Sequence, residues 1–331
     1  MAEVTAPDVS VVLPVYNGAE YLDDAVRRLA RQEGARIEIV VVDDGSGDDT
    51  ERIGRALAAA GLVRYFRQPQ NAGVAAARER AVREATGEYV WFVDADDRWA
   101  DDAVATLLGE ARRSGADVVV AGAHYVFPDG KDDKPVGSPR LNGPLTAEAA
   151  FRAFLRGELT GHLWNKLFRR ERALDIIYTR ARVHSDQAMV AQLLASAVRG
   201  VSVIPDLVYS YLLREGSIIR SGTRRAESLV LVGDAVRDAA GALDPAILAS
   251  TDYEYYVQRF IVLSALKDAT SQSYDDAAAR ALARQIRRRI SLRGLRAVAA
   301  RRDPKRLALL GAGRFAPPLY RFAMSRGRAR A

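Results

Sequence analysis

The chain has no cysteine among its 331 residues and only three histidines, His124, His162 and His184. The first absence excludes disulfides, thiolate metal sites and a cysteine nucleophile, and is compatible with a reducing cytoplasm. The second leaves too few imidazoles for a histidine-rich zinc site. No apolar run approaches the roughly 18 residues needed to span a bilayer, and the N-terminus shows no basic and then apolar leader, so a soluble or peripheral protein is expected. Two glycine signatures are also missing. No Gly-x-Gly-x-x-Gly follows the first apolar run and no Gly-x-x-x-x-Gly-Lys-Ser/Thr occurs, which argues against dinucleotide dehydrogenases and P-loop phosphate binding. Acid is scarce in one region: residues 280–331 hold 16 Lys or Arg and a single acid, Asp303, for a net +15, while the preceding 279 residues carry −8 of the overall +7. An acidic body with a basic tail suggests that the tail meets an anionic surface, membrane or nucleic acid.

What is present is a regular alternation. Val9 to Val15, Ile37 to Val42, Leu62 to Phe66, Glu88 to Val93 and Asp117 to Ala121 are short apolar runs, and the segments between them carry helical spacing, as in Tyr21, Leu22, Ala25, Val26 and Leu29. A βαβ series of this kind predicts a mostly parallel α/β sheet with helices on both faces. Residues 122–143 are punctuated by Phe127-Pro128-Asp129-Gly130 and Gly137-Ser138-Pro139 and are expected to form a loop or hairpin. Beyond them the patterns predict a helix from about Thr146, strands at Leu163 to Phe168 and Val201 to Ile204 flanking a helix from Ser185 to about Ala197, and a further strand at Tyr209 to Leu213. From Ala226 the spacing is almost wholly helical.

Open parallel sheets bind ligands at the carboxyl ends of their strands. The polar groups here gather at four such ends: Pro14-Val15-Tyr16-Asn17-Gly18, Asp43-Asp44-Gly45-Ser46, Gln68 to Gly73, and Asp94-Ala95-Asp96-Asp97. In the last, Val90 to Val93 reads as a strand buried on both faces, and acids at its exit need a partner or a cation. Asp94 and Asp96 lie two apart on an extended backbone, so both can reach one Mg²⁺ or Mn²⁺. A turn whose aspartates cap a helix starting near Ala100 is the alternative.

These four motifs, in this order and spacing, resemble the family 2 glycosyltransferases of the GT-A fold over about the first 215 residues. The resemblance implies a non-processive, inverting enzyme with a nucleotide-sugar donor, a glycan or lipid-linked acceptor and a divalent cation, Mg²⁺ or Mn²⁺. It implies that Pro14, Val15, Tyr16 and Asn17 line the nucleotide pocket, that Asp44 accepts from the uracil ring, and that Asn71, Gly73, Arg78 and Ala95 stand by the donor. Asp94 would lie by ribose and metal, Asp96 would be the chief metal ligand, and Asp97 a cap or support. Asp186, in His184-Ser185-Asp186-Gln187, falls where the family has its catalytic base, although Ser185 replaces the usual acid and Asp186 could instead cap its helix. Trp164, Asn165 and Lys166 match a segment before the base and are candidate substrate contacts, as are His184 and Arg214; His162 and His184 are candidates for approach to metal or diphosphate. A nucleotidyltransferase is disfavoured because Tyr16 to Glu20 lacks a basic residue, and a nucleotide-sugar-binding protein impaired in catalysis is the non-enzymatic alternative.

The expected division is a GT-A domain over 1–218, with a nucleotide-binding half at 8–121 and an acceptor-side half at 122–218, followed by a helical region at 219–331. Leu282, Ile286 and Ile290 recur every four residues among Arg284, Arg287, Arg288, Arg289 and Arg293. This amphipathic basic pattern suits either a peripheral location on the anionic inner face of the cell membrane or a helical appendage packed on the body; nucleic acid is the least supported partner, since no binding motif accompanies the charge.

Overall fold

The computed structural model describes residues 6–127, 133–137, 141–213, 225–270 and 277–328. Its strands, β1 (Val9–Val15), β2 (Ile37–Asp43), β3 (Arg64–Arg67), β4 (Tyr89–Phe92), β5 (Arg98–Trp99), β6 (Val118–Val126), β7 (Lys134–Pro135), β8 (Gly143–Leu145), β9 (Lys166–Arg169) and β10 (Val201–Leu212), form one mixed sheet. The order is β3-β2-β1-β4-β9-β6-β10-β5, with β7 added to β6 and β8 to β10. The first four run parallel, as does the long β6–β10 pair, whereas β9 enters antiparallel between β4 and β6.

Helices α1 (Ala19–Leu29), α2 (Thr50–Ala59), α3 (Val74–Glu84) and α4 (Ala103–Ser114) connect the early strands. Alternate strand residues serve opposite faces. Val9, Val11, Leu13, Ile39, Val41 and Trp91 join α1, α2 and α4 in one buried cluster, while Val12, Val40, Val42, Val90 and Phe92 join α3 in another. Covering both faces is why these strands are continuously apolar instead of alternating.

The second half adds α5 (Ala147–Arg156), α6 (Arg170–Asp175), α7 (Ser185–Ala195), α8 (Ala226–Leu243), α9 (Thr251–Tyr256), α10 (Leu263–Ala269), α11 (Ala277–Arg288), α12 (Leu292–Ala300), α13 (Pro304–Phe315) and α14 (Pro317–Arg328). Residues of α5, α7, α8 and the later helices belong to the same buried cluster as the α3 face of the sheet. The helical region therefore continues the core of the sheet; the expected boundary at 218 lies outside the described residues.

Of the loop or hairpin expected at 122–143, the structure has a hairpin, because β6 continues to Val126 and β7 folds back on it. The two strands expected at 201–204 and 209–213 are one: Pro205 lacks an N–H and the register shifts between Val203 and Leu207, yet pairing with β6 resumes and reaches Leu212. The amphipathic stripe of α11 is also internal, since Ile286 and Ile290 are buried with Leu310 and Tyr320 of the last helices. That stripe packs on protein, so it does not supply a bilayer-facing surface. Phe315, Leu319 and Phe322 remain largely exposed at the α13–α14 corner.

Candidate active site

The ends of β1 and β2 are fastened to each other. Asp44 N donates to Val15 O at 2.8 Å, and Asn17, in the left-handed region at φ 48°, donates its N–H to Ser46 Oγ at 2.9 Å while its Oδ1 accepts Gly47 N at 2.9 Å. Pro14 and Val15 are buried beneath this junction, and Tyr16 stands above it, 53% exposed. Asp44 is 3% exposed. Its Oδ1 accepts Gln68 Nε2 at 2.7 Å and Ala72 N at 2.8 Å, and its Oδ2 accepts Gly73 N at 2.8 Å. It thus holds the β3–α3 loop, including Asn71 and Gly73, and about one acceptor position on Oδ2 is left for a ligand. Gly45 is required by this closeness: at φ +74°, a Cβ there would stand 2.7 Å from the Gln70 carbonyl carbon.

At the exit of β4 the three acids divide. Asp97 is buried, accepting Tyr209 Oη–H on Oδ2 at 2.9 Å and Leu212 N on Oδ1 at 2.9 Å. Burial, then the charges of Asp94 and Asp96, push its carboxyl up to about 8. It is a support for β10 and not a helix cap; α4 begins only at Ala103, and Arg98–Trp99 is strand β5. Asp94 and Asp96 are half-buried beside the buried Ala95. Asp94 Oδ1 lies 3.3 Å from Nη2 of Arg78, on α3. Arg78 is 8% exposed and its Nε has no partner, which leaves a buried cationic donor facing an acid. Among the described residues no cluster of three or more acidic or imidazole ligands is found. A cation here would rest on Asp94 and Asp96 and take its other oxygens from phosphate and water, as hard divalent cations beside nucleotides do. The donor set fits Mg²⁺ or Mn²⁺.

The base candidate sits across from this cluster. Asp186 occupies the first turn of α7, with Oδ1 accepting Gln187 N at 3.0 Å and Oδ2 standing 3.6 Å from His162 Nδ1. Burial raises the affinity of Asp186 for a proton, but the facing His162, then Arg78 and His184, outweigh it and leave the carboxyl below its ordinary value. Arg78 therefore acts on both carboxylates. Ser185, where the family has an acid, is 2% exposed, whereas the Asp186 side chain is 26% exposed. Of the two positions, only 186 opens toward the site. His184 precedes them in the left-handed region at φ 61°, a conformation that costs a non-glycine residue about 1–2 kcal/mol. Burial depresses the His184 imidazole against the opposing pull of Asp186.

Trp164, Asn165 and Lys166, the candidate substrate contacts, are 0–4% exposed and engaged with protein groups. The Trp164 ring stacks on Tyr209 at 4.7 Å and on His162 at 4.7 Å. Asn165 Nδ2 donates to Ala121 O at 2.7 Å, and Lys166 Nζ donates to His162 O at 2.7 Å and Asn165 Oδ1 at 2.8 Å. Burial pulls the Lys166 amine down to about 7. They frame the site. Arg214 lies outside the described residues. Sequence reasoning missed Tyr125 and Tyr209, although Tyr209 and Tyr211 recur at the two-residue period of one strand face.

Known proteins resemble this chain in sequence and in fold. A family model described as Glycosyl transferase family 2 matches residues 10–175. Glycosyltransferase GlyG of Streptococcus pneumoniae is 29% identical over 272 residues, covering 78% of this chain and 87% of GlyG. Among solved structures, S. aureus TarS 1–349 in complex with UDP-GlcNAc superposes with a TM-score of 0.65 at 20% identity, covering 97% of this chain and 92% of that one. Mannosyltransferase PcManGT from Pyrobaculum calidifontis, in complex with GDP-Man and Mn²⁺, gives 0.52 at 22% identity over 97% of this chain and 87% of its own. The fold is the GT-A fold of these glycosyltransferases.

Proposed function

The chain belongs to glycosyl transferase family 2 and is a glycosyltransferase, and we propose that it moves a single sugar, with inversion, from a nucleotide-diphosphate donor, UDP-linked, to a hydroxyl of a glycan or lipid-linked acceptor in cell-surface glycan synthesis. The observation that carries this reading is Arg78: a buried guanidinium with an unpartnered Nε, bound to Asp94 on one side and lowering Asp186 on the other. Such a donor suits an anion that arrives between the two carboxylates, and a diphosphate is that anion. Tyr16 and the free position on Asp44 Oδ2 offer a stacking surface and an acceptor to the base. Asp94 and Asp96 would hold the divalent cation, which supplies charge neutralisation to the departing diphosphate.

Asp186 takes the proton of the acceptor hydroxyl as its oxygen bonds to the anomeric carbon from the face opposite the diphosphate. The bond from that carbon to the phosphate oxygen breaks and its electron pair leaves with the diphosphate. A single in-line displacement inverts the anomeric centre. The test is a panel of nucleotide sugars with Mn²⁺, read by nucleoside diphosphate release and by the anomeric configuration of the product. Release from one UDP-sugar with an inverted product is expected; a retained configuration removes the mechanism, and tight UDP binding with no release under any donor removes the enzyme reading.

The acceptor is proposed to lie at the cytoplasmic membrane face. No helix among the described residues is long and apolar enough to cross a membrane, so contact would be peripheral, through the exposed Phe315 and Leu319 within the basic tail. Flotation on anionic vesicles should fall at least tenfold when both are replaced by serine. Equal recovery of variant and parent would remove this contact.

A further inference from the structure

His162 was singled out for an approach to metal or diphosphate, and the structure points it elsewhere. Its Nε2 is 2.8 Å from Tyr125 Oη, its Nδ1 faces Asp186 Oδ2 at 3.6 Å, its ring lies 4.7 Å from Trp164 at an interplanar angle of 15°, and its backbone carbonyl accepts the buried Lys166 Nζ. Resting on the reading of Asp186 as base, we propose that His162 is the positioning residue for Asp186 and that Tyr125 selects the tautomer in which it works.

The argument starts at Tyr125. Burial, then the charge of Asp186, pushes this phenol up, so it keeps its proton and donates it. His162 Nδ1 faces the Asp186 carboxylate, which favours a proton on that nitrogen, and the Tyr125 hydroxyl 2.8 Å from Nε2 is then placed to donate to the lone pair left there. The opposite tautomer would present a lone pair to an anion. Three further constraints hold the ring: the stack on Trp164, the edge contact with Tyr125 at 6.0 Å, and the anchor of its own carbonyl to Lys166. The neighbouring turn is equally fixed, because a Cβ at Gly161 would meet Gln187 within 2.5 Å.

On the carboxylate side, Gln187 N fixes Oδ1 and His162 fixes Oδ2. Together they set the plane in which the remaining lone pair of Oδ2 meets an acceptor hydroxyl. The distance of 3.6 Å is longer than a closed hydrogen bond, and contacts of this kind tighten when substrate arrives. Positioning of a base is worth a good deal: a displacement near 1 Å can cost about a hundredfold in rate. This role also explains why Trp164, Asn165 and Lys166 are internal, since each holds His162 or its neighbours.

The test measures kcat and donor KM for His162→Ala, His162→Asn, Tyr125→Phe and the double variant His162→Ala/Tyr125→Phe in the full chain with Mn²⁺. His162→Ala should lower kcat about 10- to 100-fold with donor KM within about twofold, as for other residues that orient a reacting group. His162→Asn, whose amide N–H replaces Nδ1–H, should recover most of that loss. Tyr125→Phe should cost about 3- to 10-fold alone and nothing further in the double variant. Wild-type kcat in His162→Ala, a loss expressed only in KM, no rescue by asparagine, or full additivity of the two changes would each overturn the proposal. Where His162→Ala does not fold, Tyr125→Phe and His162→Asn carry the test. Asp186→Asn separates the two levels: if it keeps the rate, the base assignment fails; if it loses the rate while the His162 and Tyr125 variants keep theirs, only this inference fails.

Discussion

Asp186→Asn is expected to lower the transfer rate by about 10³- to 10⁴-fold while leaving UDP affinity within about threefold. The substitution preserves shape and removes only the ability to accept a proton, so its effect reads the contribution of general base catalysis, which spans about 10²–10⁴. The upper part of that range is expected because the carboxylate is held from both sides, by Gln187 N and by His162, and has few ways to be replaced by water. The measurement is single-turnover transfer with saturating donor, paired with calorimetry of UDP binding. A variant that keeps a tenth of the parent rate would show that another group takes the proton.

Asp96→Ala should reduce transfer by about 10²- to 10³-fold, and here UDP affinity should fall with it when Mn²⁺ is present. The difference from Asp186 follows from position. Asp94 meets Arg78 and Asp97 is turned inward to Tyr209 and Leu212, and Asp96 is the residue proposed as the chief ligand of a cation at this strand exit. Loss of a divalent cation beside a departing diphosphate is worth several kcal/mol, or about two to three decades in rate. Titrating Mn²⁺ against activity checks it: the parent should show a saturable dependence and Asp96→Ala a weak one. Equal curves for the two would place the cation elsewhere.

The early sheet was legible because its physics is local. Continuous apolar runs between helical spacings leave little choice but parallel strands covered on both faces, and four acid- or amide-bearing exits fall where such sheets bind ligands. Asp94 and Asp96 could be proposed as a cation pair from their spacing alone, whereas the part played by Asp97 could not be foreseen: its burial depends on Tyr209 and Leu212, over a hundred residues away. Long-range pairing also decided β10. Pro205 looks like a strand end, but β6 offers enough partners beyond it for the pairing to resume. At Trp164-Asn165-Lys166 an aromatic, an amide and an amine in a row resemble a binding surface, and only the fold reveals that Ala121, His162 and Tyr209 are their partners. His162 was visible as a lone imidazole, but its significance lay in Tyr125 and Asp186, which no spacing connects. The basic tail was legible as helical, and whether its apolar stripe met bilayer or protein stayed open because a stripe of four-residue period suits both equally.

The three bonds that Asp44 makes to the β3–α3 loop join two kinds of recognition into one mechanical part. That loop sets where α3 begins, and Arg78 lies five residues into the sequence after Gly73. Any change at Asp44 meant to alter the choice of nucleobase would therefore also re-aim Arg78, the guanidinium proposed to meet the phosphates. Evolution or a designer seeking a new donor base would find a looser dial at Tyr16, which is 53% exposed and proposed to bear on the base.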